Sequence, residues 1–410
     1  MPNQFLFSDW VSMEALRLLL NKLQVAQFFN HSWENDYNQE FPVGETITVK
    51  LPQRFTIRDG LQYTPQNINR ISTTITANNV LGVDFQWDSV EKALKMERSR
   101  AEISKQYLEP AMAQIAQEID SRAALFATQN TNNIVGQLGI DPTTPQIFNE
   151  ARERLITLSC PPSDEKGMII PPRFNTTLVP AMSALFNPAS EISKQYKEGS
   201  IGKYAGADWY ESMSLWRHTA GTWAGAVTVN LAGQSGSSLN INATNGDTFF
   251  AGDVFSIDNV NQVNPMTRRQ LSTQVKQFVV TQDYTAAGSN DTIQISPAIY
   301  GPTTQYQNVD ALPANLAALT LFPGTTSPNG KSGANALLLH PEAFAIVGIR
   351  LESPKATEVT SQAKDPETGI AVRLVRMFDP QTSTMVNRWD TCFGFGRLYS
   401  DNCAVRVLGA

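Results

Sequence analysis

The side chains that most often act as nucleophiles, general bases or metal ligands are few in this chain of 410 residues. Its histidines and cysteines are His31, Cys160, His218, His340, Cys392 and Cys403. Zinc sites use such residues at short, regular spacings, and none of the six has a partner at motif spacing. Three scattered cysteines are also too few for a disulfide framework. The sequence therefore predicts free buried thiols, and no metal, cofactor or catalytic site.

Two short glycine motifs are fragments of known catalytic signatures. Residues 233–236 (GQSG) lack the last glycine of the serine-hydrolase elbow, so a loop is expected there. Residues 394–396 (GFG) lack the third glycine and the helix of a dinucleotide-binding fingerprint. Neither fragment supports an enzyme, and we expect the chain to have no catalytic activity.

The composition indicates a protein whose surface is partly covered by neighbours. Charged residues make up 17% of the chain, below the roughly 25% of a typical soluble protein. The formal net charge of −6 argues against sequence-specific binding of nucleic acid, which requires clustered basic residues. No apolar run reaches the roughly 18 residues of a membrane helix, and the N-terminus has no secretory pattern. We expect a protein made inside the cell, without membrane association.

The first thirty residues predict one amphipathic helix. Leu16, Leu19, Leu20 and Leu23 recur at i, i+3, i+4 and i+7, which places them on one helix face. A single helix of this length is marginal in water, so the leucines must pack on the body of the chain or on another copy. Both alternatives are open from the sequence.

Residues 41–80 predict a long excursion of two or three strands. Apolar and polar side chains alternate over 43–51 and 71–76, and Asp59-Gly60 is a strong hairpin-turn signal. Few large apolar residues lie on the second face of these strands. The excursion is therefore expected to lack a core of its own and to need a neighbouring subunit.

A long helix and a mixed α/β region follow. Apolar residues at helical spacing predict a helix over 107–130, with Pro110 in its first turn, or at a kink if the helix starts near Glu102. Two more helices are expected, over 144–155 and from Pro341 onward. Strands are expected over 168–170, 371–377, 383–388 and 403–408.

Residues 223–303 differ in composition from both flanks. Lysine and arginine are scarce there, and short alternating runs are separated by turn residues, which predicts an inserted all-β barrel or sandwich. Its expected core consists of Val227, Val229, Leu231, Phe249, Val254, Phe255, Ile257, Val260, Phe278, Val280, Ile293 and Ile295.

Several stretches, in order along nearly the whole chain, resemble a tailed-bacteriophage major capsid protein. The first half contributes residues 44–52 (GETITVKLP), 107–111 (YLEPA) and 199–206 (GSIGKYAG). The second half contributes residues 252–257 (GDVFSI), 263–268 (VNPMTR), 340–344 (HPEAF) and 388–394 (RWDTCFG). The resemblance is to the branch whose coat protein carries an insertion domain, as in short-tailed Salmonella phages.

The resemblance implies an α+β fold of the Johnson type, also called HK-ninety-seven-like. Its parts would be an N-arm (1–40), an E-loop (41–80), a peripheral domain with the spine helix (81–135), the first part of the axial domain (136–221), an inserted β-barrel domain (222–303), and the rest of the axial domain with a return to the peripheral domain (304–410). These boundaries follow from the resemblance and from the changes in composition described above.

The resemblance also implies partners. The chain would assemble with itself into the hexamers and pentamers of an icosahedral shell, aided by a scaffolding protein. It would further meet a portal protein and a decoration protein, and would contact packaged double-stranded DNA non-specifically. Assembly would take place in the cytoplasm of the bacterial host, and the protein would become part of the virion.

Candidates for subunit contacts come from the first helix, the excursion and the insertion. They are Leu16, Leu19, Leu20, Leu23, Lys50, Arg54, Arg58, Asp59, Arg268 and Arg269. Two other classes of protein stay open. One is an encapsulin-like shell that encloses protein cargo, and the other is an enzyme or ligand-binding protein whose β insertion is a ligand module.

Overall fold

The computed structural model describes most of the chain. The described residues are 4–20, 22–32, 46–51, 53–58, 60–63, 65–68, 71–88, 108–162, 166–182, 202–270, 274–288, 290–322, 330–351, 359–365, 369–379, 381 and 384–410. The chain divides into two compact units. Unit 1 comprises Met1–Lys50, Ser72–Ala123 and Phe344–Arg397, and unit 2 comprises Leu51–Ile71, Ala124–Ala343 and Leu398–Ala410.

Strands outnumber helices in the described part of the chain. The helices are α1 (Gln4–Leu20), α2 (Glu109–Asn130), α3 (Gln146–Thr157), α4 (Pro172–Met182) and α5 (Ser400–Cys403). The strands are β1 (Thr46–Lys50), β2 (Ser72–Asp88), β3 (Ile134–Gly136), β4 (Gly167–Ile170), β5 (Lys203–Tyr204), β6 (Ala207–Glu211), β7 (His218–Thr219), β8 (Thr228–Val229), β9 (Gly236–Asn242), β10 (Thr248–Phe249), β11 (Val254–Asn261), β12 (Val275–Val280), β13 (Tyr284–Thr285), β14 (Asp291–Ile299), β15 (Leu319–Leu321), β16 (Ser332–Gly333), β17 (Asn335–Leu339), β18 (Phe344–Ile349), β19 (Val359–Lys364), β20 (Ala371–Asp379), β21 (Thr384–Arg397) and β22 (Ala404–Leu408). Of the helices just given, none is both long and apolar enough to cross a membrane.

Unit 1 is built on one antiparallel sheet. Its strand order is β1-β2-β21-β20-β19, and β18 also pairs with β21. The long ladder between β2 and β21 requires glycine at close approaches such as Gly394, where a Cβ would lie 2.4 Å from the carbonyl oxygen of Thr76. The GFG fragment therefore has a packing role in β21.

The prediction of a helix from Pro341 onward is wrong. Residues 344–349 (FAIVGI) form β18, and Phe344 to Val347 are buried. A run of six apolar and mostly β-branched or aromatic residues is short for a helix and suits a fully buried strand. The sequence run has no polar face, so periodicity alone did not distinguish the two structures.

The N-terminal segment packs within unit 1. Helix α1 lies against β19 and β20, where the hydroxyl groups of Ser12 and Ser361 share a hydrogen bond of 2.8 Å. Beyond α1, the ring of Phe29 contacts the rings of Phe344 and Phe395, with centroid distances of 5.4 and 5.8 Å. The N–H group of Asn30 donates to the carbonyl of Phe344, extending the backbone pairing of the sheet.

Helix α2 confirms the predicted long helix over Glu109–Asn130. Pro110 lies in the first turn, where its missing N–H group costs nothing. The face formed by Met112, Ile115 and Ile119 is buried, as the helical spacing predicted. With 22 residues, the helix is about 33 Å long at 1.5 Å per residue.

The inserted β region forms a closed barrel in unit 2. Its antiparallel strand order is β15-β11-β12-β14-β9-β8. The two ends of this order meet, since the N–H group of Val229 donates to Ala317 and that of Leu319 donates to Val227, each at 2.9 Å. Closure therefore requires β15, which lies beyond the expected boundary at residue 303.

The predicted barrel core is confirmed with one exception. All of the expected residues are buried except Leu231, which is 63% exposed and adopts a φ of +74°. Its position in a left-handed turn breaks the alternation that the sequence run suggested. The same core also contains Ile134, Leu138 and Leu408, so the barrel shares buried surface with the rest of unit 2.

The second large sheet of unit 2 is mixed. Its order is β3-β22-β17-β4-β6-β5, with β22 parallel to β3 and β4 parallel to β6. Helices α3 and α4 cover it with Phe148, Leu155, Phe174 and Leu178, all of which are buried. The predicted strands at 168–170 and 403–408 are confirmed as β4 and β22, each within one residue.

Candidate subunit-contact surface

Residues 51–71, here called the 51–71 loop, are held by polar bonds and not by an apolar core. The N–H group of Leu51 donates to the carbonyl of Ile71 at 2.9 Å. The Gln66 amide forms two bonds with the backbone of Thr56, accepting from its N–H group at 2.8 Å and donating to its carbonyl at 2.6 Å. Gln53 donates to the carbonyl of Asn67 at 3.1 Å. The loop thus keeps its shape while its large apolar side chains remain outside.

These apolar side chains are open to solvent. Ile57 and Leu61 are 98% and 99% exposed, and Phe55, Tyr63 and Ile68 are each at least two-thirds exposed. Exposed leucines and isoleucines are common singly, but a cluster within fourteen residues is typical of an interaction surface. The exposure agrees with the predicted lack of a core for residues 55–68, whereas the flanking strands β1 and β2 belong to the sheet of unit 1 and bury Val49, Ile75 and Ala77 there.

Basic residues accompany the apolar ones. Arg58 is exposed, and its Nη1 donates to the carbonyl of Leu61 at 3.2 Å, beside Gly60 with its φ of +85°. Arg54 is half-buried in the same loop. Lys50 is exposed at the end of β1, opposite Ser72. Asp59, the other candidate of this region, lies outside the described residues.

A chain of hydrogen bonds connects the insertion with the loop. Arg268, with a φ of +56°, donates from Nη2 to the carbonyl of Gln305 at 2.6 Å. The side chain of Gln305 in turn donates to the carbonyl of Asn67 at 2.9 Å. Arg268 is therefore linked to the 51–71 loop only indirectly, through Gln305, whereas Arg269 is exposed and contributes its carbonyl to the turn at Asn264.

An open groove of about 550 Å³, lined by both polar and apolar groups, lies at this junction. Its walls come from the loop (Gln66, Asn67, Ile71) and from residues after the barrel strand β14 (Tyr300, Thr303, Thr304, Gln305, Tyr306). Amide, hydroxyl and phenol groups line it. Such a surface can accept a segment of a neighbouring chain by hydrogen bonding.

The leucines of the first helix occupy a different environment. Leu16, Leu19 and Leu23 are buried within unit 1, and Leu20 is half-buried. Their burial in one chain is what the intrachain alternative requires. Their part in contacts with another copy stays a prediction.

Asp120 on α2 provides an unexpected anchor for the N-terminal segment. Its Oδ2 accepts a hydrogen bond from the N–H group of Gln24 at 2.7 Å, and its Oδ1 accepts from Val25 and Ala26 at 3.0 and 2.9 Å. Burial raises the pKa of Asp120 to about 6, although the three N–H groups act in the opposite direction. A lone aspartate in an amphipathic pattern gave no signal of this role.

Buried cations also hold unit 2 together. Arg406 on β22 donates to the carbonyls of Thr128, in the last turn of α2, and Gly252. Burial lowers the pKa of Arg406 to about 10. A helix end whose carbonyl groups lack intrahelical partners is stabilised by such a donor. The role of this arginine is therefore structural.

The fold also places close together three residues that are far apart in the sequence. The donor atoms of Cys160, His340 and Cys403 all lie within 4.8 Å of one another. The sequence prediction treated the cysteines as scattered, and spacing along the chain held no signal of this proximity. Only the fold of unit 2, with strands β17 and β22 side by side, makes it visible.

Comparison with known proteins identifies a family for this chain. The family is described as "P22 coat protein - gene protein 5" and matches residues 36–406. Among solved structures, one from Mycobacterium phage Che8 is 11% identical with a TM-score of 0.48, covering 94% of this chain and 90% of that chain. The capsid of cyanophage P-SCSP1u is 12% identical with a TM-score of 0.42, covering 90% and 84%. A virus-like particle from Pyrococcus furiosus is 8% identical with a TM-score of 0.37, covering 99% of each chain. Among curated proteins, none matches.

The family match extends over the 51–71 loop, the long helix α2, the barrel and the first three residues of β22. It confirms the resemblance found in the sequence and, with it, the α+β capsid class of fold. This chain belongs to the P22 coat protein family.

Proposed function

We propose that copies of this chain join through the 51–71 loop, whose apolar side chains become buried against a neighbouring subunit. As a member of a coat protein family, the chain is a major capsid protein of a tailed bacteriophage, forms an icosahedral shell and is part of the virion. The proposal concerns how the copies are held together and which other components they meet.

The exposure of Ile57 and Leu61 is the observation that carries the proposal. Side chains of this size gain nothing from being fully in water, and burying each would contribute on the order of 1.5–3 kcal/mol. Arg54 and Arg58 lie in the same loop and can select the orientation of the partner by charge complementarity. The groove beside Gln66 and Gln305 supplies polar groups for the rim of such a contact.

Further partners belong to the proposal. They are a scaffolding protein during assembly, a portal protein, a decoration protein and packaged double-stranded DNA, with assembly in the host cytoplasm. The low share of charged residues supports extensive contact with other proteins. The net charge of −6 supports contact with DNA that is weak and independent of sequence.

The alternatives considered from the sequence have less support. An encapsulin-like shell would enclose protein cargo, whereas the family found here consists of phage coat proteins. The same family indicates a structural role for the barrel in place of a ligand module. We accordingly propose that the chain has no enzymatic activity.

The double substitution Ile57→Asp and Leu61→Asp tests the proposal. Both side chains are almost fully exposed in the single chain, so the melting temperature of the monomer should hardly change. Shell formation in cells that also make the phage's scaffolding protein should be lost, because two charges would have to be buried. The measurement is sedimentation of the lysate followed by electron microscopy.

The matched control is Ile57→Val with Leu61→Met, which keeps both side chains apolar and should still assemble. Normal shells from the aspartate variant would show that this loop is not a subunit contact. A large drop in the melting temperature of that variant would place the loop in the core of its own chain, which would also contradict the proposal.

A further inference from the structure

Cys160, His340 and Cys403 come from three separate parts of unit 2. Cys160 follows helix α3, His340 follows strand β17, and Cys403 is the last residue of α5, directly before β22. One sulfur, one ring nitrogen and a second sulfur nevertheless lie within 4.8 Å of one another. Two thiols and an imidazole are the donor set that zinc and other thiophilic divalent metals prefer.

The backbone fixes the positions of these side chains before any ligand binds. Strands β17 and β22 pair with Leu339 opposite Ala404, and the next hydrogen bond along the ladder runs from the N–H group of His340 to the carbonyl of Cys403 at 3.0 Å. The N–H group of Cys160 donates to the carbonyl of Leu155 at 3.1 Å, in the turn that ends α3. A site on such rigid elements loses little entropy when a metal binds.

The spacing suits tetrahedral coordination. With metal–sulfur bonds of about 2.3 Å and metal–nitrogen bonds of about 2.0–2.1 Å, the ligand atoms would lie roughly 3.4–3.8 Å apart. Separations of at most 4.8 Å can contract to these values by side-chain rotation. Nδ1 of His340 accepts a hydrogen bond from the N–H group of Glu342 at 3.1 Å, which helps to orient the ring.

Burial leaves one side of the cluster open. His340 and Cys403 are buried, whereas Cys160 is partly exposed. Water can therefore reach the cluster from the side of Cys160 and fill a fourth position.

We propose that Cys160, His340 and Cys403 form a binding site for a thiophilic divalent cation such as Zn²⁺, with water as the fourth ligand. The two thiol protons are released to solvent on binding. The bound ion would join the turn after α3 to the β17–β22 pair, segments that are far apart in the sequence. This inference does not depend on the subunit contacts proposed above.

Cobalt(II) is the probe for this site, because thiolate ligands give it a sulfur-to-metal charge-transfer band and tetrahedral geometry gives it intense visible bands. The full-length protein is reduced, stripped of metal and titrated with Co²⁺ under anaerobic conditions. We expect both sets of bands to saturate at one cobalt per chain and to disappear on addition of Zn²⁺. Zinc should also raise the melting temperature of the wild-type protein.

Two variants test which residues bind the metal, and a third is the control. Cys160→Ser replaces the partly exposed thiol and is the variant least expected to disturb folding; it should weaken cobalt binding at least about tenfold. His340→Gln should keep charge-transfer intensity but lose the tetrahedral visible bands. Cys392→Ser is the matched control, because Cys392 is a buried thiol of unit 1 and no part of the cluster; its spectrum should equal that of the wild type.

Three results would overturn the proposal. One is a wild-type protein without a sulfur-to-cobalt band, and another is a band that survives Cys160→Ser at unchanged affinity. The third is a Cys160–Cys403 disulfide that forms in air while the reduced protein binds no cobalt, which would identify the pair as a redox site instead.

Discussion

At the scale of single residues, Asp120 joins two segments that are distant in the sequence. Its carboxylate accepts hydrogen bonds from the backbone N–H groups of residues 24–26. In the described part of the chain these three donors have no other acceptor. Burial shields these hydrogen bonds from water and also raises the pKa of Asp120 to about 6. Burial favours the protonated carboxyl group, whereas the three hydrogen bonds favour the carboxylate. The pH dependence of the unfolding free energy shows which effect is larger.

Asp120→Asn tests which effect dominates. Because the folded-state pKa of about 6 is above the unfolded value, the folded chain binds this proton more tightly, so its contribution to stability is complete below about pH 4 and lost as the pH rises through about 6. The loss corresponds to about 3 kcal/mol. The unfolding free energy of wild type minus that of the variant should fall by this amount over that range, as measured by urea denaturation.

Asp258→Asn, at an exposed position in β11, is the control and should show no such trend. If the difference between wild type and Asp120→Asn increases with pH instead, the three N–H groups outweigh burial and the carboxylate is the favoured form.

Leu19 on α1 tests the packing of the N-terminal helix. Leu19 is fully buried in unit 1, so Leu19→Ala should lower the unfolding free energy by about 2–5 kcal/mol. Met13→Ala on the same helix is the control, since Met13 is 66% exposed and the change should stay within about 0.5 kcal/mol. Equal stability of wild type and Leu19→Ala would mean that the helix is an arm for another subunit.

At the scale of elements, the sequence predicted most of the regular structure because periodicity reflects burial. Helix α2 and strands β20 and β22 lie where apolar spacing placed them, whereas β21 continues nine residues beyond the predicted end at Arg388. The exceptions have physical reasons. The uniformly apolar run of β18 has no period that separates helix from strand, and Leu231 leaves its strand in a left-handed turn.

Closure of the barrel could not be predicted from its own segment. Strand β15 has only three residues and follows a stretch without regular structure, so it carries no pattern that connects it to β8. The bridge between them is a long-range pairing of backbone groups, to which side-chain type contributes little. The metal-type cluster was missed for the same reason, because its three members meet only when β17 and β22 pair.

The barrel makes a testable statement about folding units. Residues 222–303 contain five of the six barrel strands and lack β15, whose backbone closes the barrel onto residues 227–229. We expect an isolated fragment of residues 222–322 to give a dispersed amide NMR spectrum and a cooperative melt. The shorter fragment should melt at a lower temperature or remain collapsed.

The barrel core also contains Ile134 and Leu408, which are absent from both fragments. Their absence limits how stable either fragment can be. If the fragment of residues 222–303 melts as cooperatively and at the same temperature as the longer one, β15 is not needed for the stability of the barrel. The predicted domain boundary at residue 303 would then be correct.

At the scale of the whole molecule, the surface is that of a subunit. Few charges, a loop with five exposed apolar side chains, and a chain that belongs to a coat protein family all support the proposal that assembly buries this apolar surface. Polar bonds shape the 51–71 loop while these side chains stay exposed, which is consistent with the proposed contact. Stability and assembly are therefore expected to depend on different residues.

The most direct test of this account is electron cryo-microscopy of particles from bacteria that make the chain together with the scaffolding protein of its phage. We predict closed icosahedral shells in which the 51–71 loop of each subunit lies against a neighbour, with Ile57 and Leu61 buried. A monomer or small discrete oligomer in place of shells, or shells in which both side chains remain in solvent, would contradict it.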